Sequence, residues 1–151
     1  MIIKLMTELI IIEQAVYNPD LALDYDELLA SLHLVENFKH SPEDIQAVCD
    51  AEGSSFYLGM LGSVAVAMTT LIHPVFSMGH RTAIVEDVAV NRNYRGNGFG
   101  LAMMDFIETE AIRLGSNRIE LHSGNARKEA HGLYRKTGFE VFDTNLFRKE
   151  L

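Results

Sequence analysis

The sequence predicts an α/β protein with a mixed, mostly antiparallel sheet and helices on its faces. Three observations lead there. A strand-like run, a glycine-rich turn, a helix-like run and a second strand follow one another over residues 83–122. Such a crossover sets its two strands parallel and side by side. Two further strand-like runs, 54–62 and 63–73, meet at a glycine-containing turn and read as an antiparallel pair. The helices carry their own punctuation. Ser41-Pro42-Glu43-Asp44 offers a capping hydroxyl, a proline in the first turn and acids at the positive end, and Gly115 and Gly138 each follow a helical run.

The elements are expected in this order. Residues 1–6 form a first strand. Asp24 or Asp26 caps a helix ending between His33 and Phe38, with Leu28, Leu29, Leu32 and Val35 on its apolar side. The helix opened by Ser41 closes near Glu52-Gly53. In the antiparallel pair, Val64-Ala65-Val66-Ala67-Met68 is apolar without alternation, which suggests burial on both faces. Residues 74–80 are a loop. Strand 83–90, helix 101–114, strand 118–122 and helix 126–137 follow, and 139–141 and 145–149 close the sheet. No repeat, low-complexity tract or linker interrupts the chain, so residues 1–151 read as a single domain.

Composition narrows the function. The 151 residues are 48% hydrophobic and 23% charged, a globular balance. The single cysteine, Cys49, permits neither an intrachain disulfide nor a Cys-rich metal site. The apolar N-terminal stretch is broken by Glu8 and Glu13 and matches neither a membrane span nor a signal peptide, so a cytoplasmic location is expected. Residues 1–75 hold eleven of the 21 acids against Lys4 and Lys39, whereas 76–151 are near balance. No arginine precedes Arg81. Nucleic acid is a poor partner for such a surface, because phosphate contacts want Lys and Arg. The acidic half suits a cationic small molecule.

Residues 91–100, Asn-Arg-Asn-Tyr-Arg-Gly-Asn-Gly-Phe-Gly, are the most informative stretch. Glycines 96, 98 and 100 lie between a strand and a helix, led by Arg95. Without a Cβ, such a turn lets an anion reach backbone N–H groups, and the helix N-terminus adds its positive end. No Lys-Ser or Lys-Thr follows, which excludes a Walker loop. Position 101 is Leu, where a dinucleotide fingerprint needs Gly. The pattern that fits is Arg-x-x-Gly-x-Gly from Arg95 through Gly98 to Gly100. A second block, Ser123-Gly124-Asn125-Ala126-Arg127-Lys128-Glu129-Ala130-His131-Gly132-Leu133-Tyr134-Arg135-Lys136-Thr137-Gly138-Phe139, lies about thirty residues on. Together these blocks resemble the GNAT superfamily of N-acetyltransferases, in its small-molecule-type subgroup, over roughly residues 54–151.

The resemblance implies a single-domain GNAT-like fold whose central parallel strands splay apart at their C-terminal ends. It implies acetyl-CoA as cosubstrate and no metal. The pyrophosphate would lie on Arg95, Gly96, Asn97, Gly98, Phe99 and Gly100, and the pantetheine arm on the backbone of Val88, Ala89 and Val90. Tyr134 would also touch the cofactor and protonate the leaving sulfur; a phenol with pKa near 10 keeps its proton at pH 7. An acid on the cofactor strand would be the base, with Glu86 favoured and Asp87 the alternative, because side chains alternate along a strand. The family often has Asn seven residues before the tyrosine. Here that position is Arg127, and Asn125 is the nearest substitute as a cofactor contact. Gly132 stands where the family has a larger residue. His122 could relay protons, while His131 packs locally; His73, His80, His122 and His131 lack zinc spacing. Dimers are common in the family, so a homodimer is a further expectation.

Acetyl transfer to an amine requires a free lone pair, and an amine of pKa near 10.4 is only about 0.04% neutral at pH 7, a cost of roughly 4.6 kcal/mol. A positioned carboxylate lowers that barrier. No cysteine lies in either block, which points to direct attack in a ternary complex. The acceptor is then a primary amine on a small molecule or peptide, with polyamines or aminoglycosides suggested by the acidic half. Two other readings stay open. A non-catalytic acyl-CoA-binding sensor or interaction domain would keep the loop without needing Tyr134 or Glu86. A protein N-acetyltransferase would use the same chemistry on a macromolecule.

Overall fold

The computed structural model describes residues 8–151; the strand expected over 1–6 lies outside them. In chain order the elements are β1 (Ile10–Glu13), a 3-10 turn (Pro19–Leu21), α1 (Ala22–His33), α2 (Pro42–Asp50), β2 (Ser54–Leu61), β3 (Val64–Ser77) and β4 (His80–Val90). A second 3-10 turn (Arg92–Tyr94), α3 (Phe99–Arg113), β5 (Arg118–Leu121) and α4 (Lys128–Lys136) complete the order. The five strands lie in sequence order across one sheet, antiparallel except for the parallel pair β4–β5. The crossover through α3 therefore forms as expected.

Two apolar cores sandwich the sheet. One packs Met103, Met104, Ile107 and Ala111 of α3 and Tyr134 of α4 against Ala67, Leu71, Ala83, Val85 and Val88. The other packs Tyr25 and Leu28 of α1 and Ile45 of α2 against Phe56, Leu58, Met68 and Ala89. Ala65, Val66, Ala67 and Met68 are all buried, so the unalternating run on β3 is covered on both faces.

The local signals worked unevenly. Ser41 caps α2 as expected, its hydroxyl accepting from Asp44 N at 3.1 Å. Neither Asp24 nor Asp26 caps α1. Asn18 and Pro19 start the preceding 3-10 turn, Asn18 accepting from Asp20 N, and the chain runs directly into the helix. The helix stops at His33, where Leu34 turns left-handed at φ 57°. Both aspartates have longer-range work: Asp24 accepts from Ala65 N on β3 at 2.8 Å, fastening α1 to the sheet. Residues 74–77 extend β3 instead of forming a loop, and a tight turn at Met78-Gly79 leads into β4. Pro74 is tolerated there because it sits in the register break between Ile72 and Val75, where no ladder N–H is lost.

The closing strands expected at 139–141 and 145–149 do not form. Alternation reports sidedness but supplies no partner, and the far edge of β5 is unpaired among the described residues. Val141, Phe142, Leu146 and Phe147 lie exposed.

Asp26 joins the α1 end to the segment before α2. Burial alone would raise its carboxyl, but hydrogen bonds from Lys39 Nζ at 2.7 Å, and from the backbone N–H and ring Nδ1 of His40 at 2.8 Å each, outweigh it and hold the pKa at about 2. A folded-state pKa below the ordinary carboxylate value contributes stability above about pH 4 that is lost as the pH falls through about 2. Asp26→Asn is therefore expected to lower stability by about 1–3 kcal/mol at pH 7. The gap between variant and parent should close in denaturant titrations run at successively lower pH toward 2.

Candidate active site

The site forms where β4 runs past the end of β5 and bulges against β3. Its ladder to β5 covers only Thr82 to Val85 against Arg118 to Leu121, whereas β4 runs on to Val90. Val88, Ala89 and Val90 thus run beyond the last β5 pair, beside a gap between the parallel strands. On the other side β4 pairs with β3, but the register jumps from Thr70↔Glu86 to Met68↔Ala89. Asp87 and Val88 together face Thr69, a bulge, and Asp87 takes φ 54°. Aspartate tolerates the left-handed region better than most residues. The threonines brace the bulge: Thr69 Oγ1 donates to Glu86 O and Thr70 Oγ1 to Asp87 Oδ2, each at 3.2 Å.

The bulge overturns one expectation. Alternation would put Glu86 and Asp87 on opposite faces. Glu86 is paired with Thr70, and Asp87 bonds that same threonine beside Met68 and Phe56 of the α1–α2 core. Both carboxylates therefore sit on the face covered by α1 and α2. Continuing the β4–β5 register one step past Val85↔Leu121 sets His122 beside Glu86. Glu86 is half-buried, and its carboxyl is raised from its ordinary value by burial and then by the charge of Asp87, with His122 pulling the other way.

Tyr134 is 6% exposed on α4. Burial raises its phenol and the Glu86 charge adds to that, while the Arg127 guanidinium works against both. Arg127 Nη2 also donates to Val88 O at 2.7 Å, so one side chain spans the gap and flanks the phenol. The sequence had marked Arg127 only as a departure from a pattern. The available signal was its spacing: residues seven apart on a helix share a side two turns on, and Arg127 occupies the N-cap of α4. Asn125 lies exposed on the turn closed by Arg127 N to Gly124 O. His131 is half-buried on α4, and Ser123 Oγ is buried without a hydrogen-bond partner.

The glycine turn divides into two kinds of glycine. Gly96 (φ 78°) and Gly98 (φ 82°) are left-handed, and a Cβ on either would meet nothing within 4 Å. Gly98 is the N-cap of α3, and no side chain caps that end. The first amides of the helix are thus open to an anion. Gly100 differs: a Cβ there would come within 3.0 Å of Leu133 Cδ2, so it is bare to admit α4. Arg95 donates to Val90 O and pairs with Glu129 at 3.1 Å, and Asn97 Nδ2 bonds the carbonyls of Tyr94 and Arg95, shaping the turn. Phe99 begins the helix. The residues present thus fit a diphosphate: open amides, an arginine at the rim and room where a Cβ would intrude. Among the described residues no group of three or more His, Cys, Asp or Glu could hold a metal, and no helix is long and apolar enough to cross a membrane.

A mixed sheet whose parallel strands part beside a glycine-led helix defines an acyltransferase fold. The profile of the Acetyltransferase (GNAT) family matches residues 22–139, and the chain belongs to that family of acetyltransferases, which use acetyl-CoA as cosubstrate. Solved structures agree in fold. An acetyltransferase of Trypanosoma brucei is 22% identical, with TM-score 0.72, over 95% of this chain and 100% of that one. An aminoglycoside acetyltransferase from an uncultured soil metagenomic sample is 17% identical, with TM-score 0.77, over 95% and 96%. The ribosomal-protein-alanine N-acetyltransferase of Brucella melitensis biovar Abortus 2308 is 15% identical, with TM-score 0.72, over 94% and 100%. No curated protein matches the sequence.

Proposed function

We propose that this protein moves the acetyl group of acetyl-CoA directly onto a primary amine of a small molecule or peptide, with both substrates bound together. The observation that carries the reading is a convergence at the C-terminal end of β4. A buried phenol that feels the Glu86 charge, that half-buried carboxyl of raised pKa, and an open glycine turn after Val90 all lie near the end of this strand. The thioester supplies the electrophilic carbonyl; the chain's part is to orient, deprotonate and reprotonate.

The amides of residues 96–100 hold the diphosphate, with Arg95 at the rim. The backbone of Val88, Ala89 and Val90 aligns the arm beyond the last β5 pair, and Asn125 lies at the outer edge. Glu86, its proton affinity raised above the ordinary carboxylate value by burial, takes the ammonium proton directly or through water; Asp87 holds the amine on the same face. The Val88 N–H faces the developing oxyanion. Tyr134 gives its proton to the departing sulfur, and the neighbouring Arg127 charge steadies the phenolate that remains.

The base assignment predicts a pH profile. Activity needs Glu86 ionised, so kcat/KM should fall as the pH drops through its raised pKa, above the ordinary 4.5. Glu86→Gln should erase that acid limb and slow kcat/KM by about 10² or more. A limb that persists unchanged in the variant would give the role to Asp87 or His122.

A further inference from the structure

A cavity of about 230 Å³ lies between the α1–α2 pair and the sheet, on the face that carries Glu86 and Asp87. Its walls are apolar: Leu29 of α1, Phe38 of the connector, Ile45 and Val48 of α2, Phe56 of β2 and Met68 of β3. Its inner end is Asp87 with Thr70, adjacent in sequence to Val88. Asp87 Oδ2 accepts from Thr70, and Oδ1 has no protein partner among the described residues. At the outer end stand Asp44, His33 and Lys39. The Lys39 charge is matched by Asp26 at 2.7 Å, and His33 stacks on Phe38 with centroids 4.9 Å apart. A larger cleft, about 390 Å³ beside α3 and β5, touches none of Glu86, Asp87 and Tyr134.

Charge and shape together specify an occupant. The Asp87 carboxylate at the inner end wants a cation, and the walls want hydrocarbon. Polar groups along the body of a ligand would lose water there without gaining partners. The volume falls below the roughly 300–1,000 Å³ typical of drug-sized ligands. A multi-ring amino sugar exceeds this volume, and the middle ammonium of a polyamine would lie against leucine and isoleucine even where Asp44 meets its far end. Resting on the acetyl-transfer reading above, we propose that the acceptor is a small primary amine on an apolar body, a single ring or short hydrocarbon chain. Its ammonium sits at Asp87 and its body lies among Leu29, Phe38, Ile45, Val48, Phe56 and Met68. The acidic half of the sequence suggests the charge of the head, and the cavity suggests the character of the rest.

The reaction balances simply. The ammonium loses a proton to Glu86, the freed nitrogen bonds to the acetyl carbon, and the carbon–sulfur bond breaks. The sulfur takes the Tyr134 proton. Glu86 releases its proton to solvent, the bonded nitrogen sheds its second proton, which replaces the one Tyr134 gave up, and the products are the amide, CoA and one proton.

Two measurements on the full chain test the proposal. Calorimetry with phenethylamine, hexylamine, spermidine and kanamycin, with and without CoA present, reads binding apart from turnover. CoA release from acetyl-CoA with the same amines reads transfer. The expected result is that phenethylamine or hexylamine binds at least tenfold more tightly than spermidine or kanamycin and leads in kcat/KM by about the same factor. Asp87→Asn, which keeps an αL-tolerant residue, should weaken that binding about tenfold or more and leave CoA affinity unchanged. Phe38→Ser should weaken phenethylamine and hexylamine and leave CoA affinity unchanged. Preference for spermidine or kanamycin overturns the proposal while leaving acetyl transfer standing. So does CoA binding with no detectable binding of either apolar amine. Failure to bind CoA overturns the parent reading instead, and the amine titrations of the unloaded protein still decide this one.

Discussion

Tyr134→Phe is expected to cut kcat by about 10² or more while the dissociation constant for CoA stays within about twofold. The substitution deletes one oxygen from a ring that is otherwise buried against α3 and Phe139, so the core keeps its shape and the loss falls on the chemistry. The environment sharpens the expectation. Burial holds the phenol protonated through neutral pH, and Arg127 lowers the cost of the phenolate it becomes. Arg127→Gln should therefore move the alkaline limb of kcat to higher pH, since it removes the one influence pulling the phenol down. Stopped-flow CoA release across pH for parent and both variants separates these effects. An undiminished kcat in Tyr134→Phe would sink the proton-donor role and revive the non-catalytic acyl-CoA sensor.

Gly98→Val should raise the CoA dissociation constant at least tenfold. Gly98 holds φ 82° at the N-cap of α3, where a β-branched residue is a genuine outlier costing about 1–3 kcal/mol. The same methyls would stand in the open space a diphosphate needs. Calorimetry with CoA and with dephosphorylated pantetheine distinguishes the two causes. Loss confined to CoA places the fault at the diphosphate, whereas equal loss of both ligands reports a collapsed helix start.

The sequence spoke clearly where a signal was local. Ser41 with Pro42 marked α2, the glycines marked the turn before α3, and the strand–helix–strand order set β4 and β5 parallel. The family was legible from the blocks around Tyr134 and the 96–100 turn because motif and spacing reside in contiguous residues. What stayed hidden depends on contacts between distant segments. A bulge is a mismatch between two strands, so Glu86 and Asp87 could not be placed on one face from their own neighbours. The start of α1 was misread because Asp24 and Asp26 look like caps until Ala65, Lys39 and His40 are brought to them. The tail after Gly138 alternates like a strand, but pairing needs a neighbour that alternation cannot supply. The cavity under α1 and α2 draws on both helices and three strands, and no window of sequence contains it.

Gly100 has a mechanical consequence. Its missing side chain lets Leu133 rest against the first turn of α3, one residue before the phenol. The turn we propose as the clamp for one end of the cosubstrate and the phenol we propose as the proton source for its other end are thus seated on the same joint. A bulkier residue at position 100 would tilt both at once, so turnover and affinity should drift together along any series of replacements there, as the readings of a single hinge.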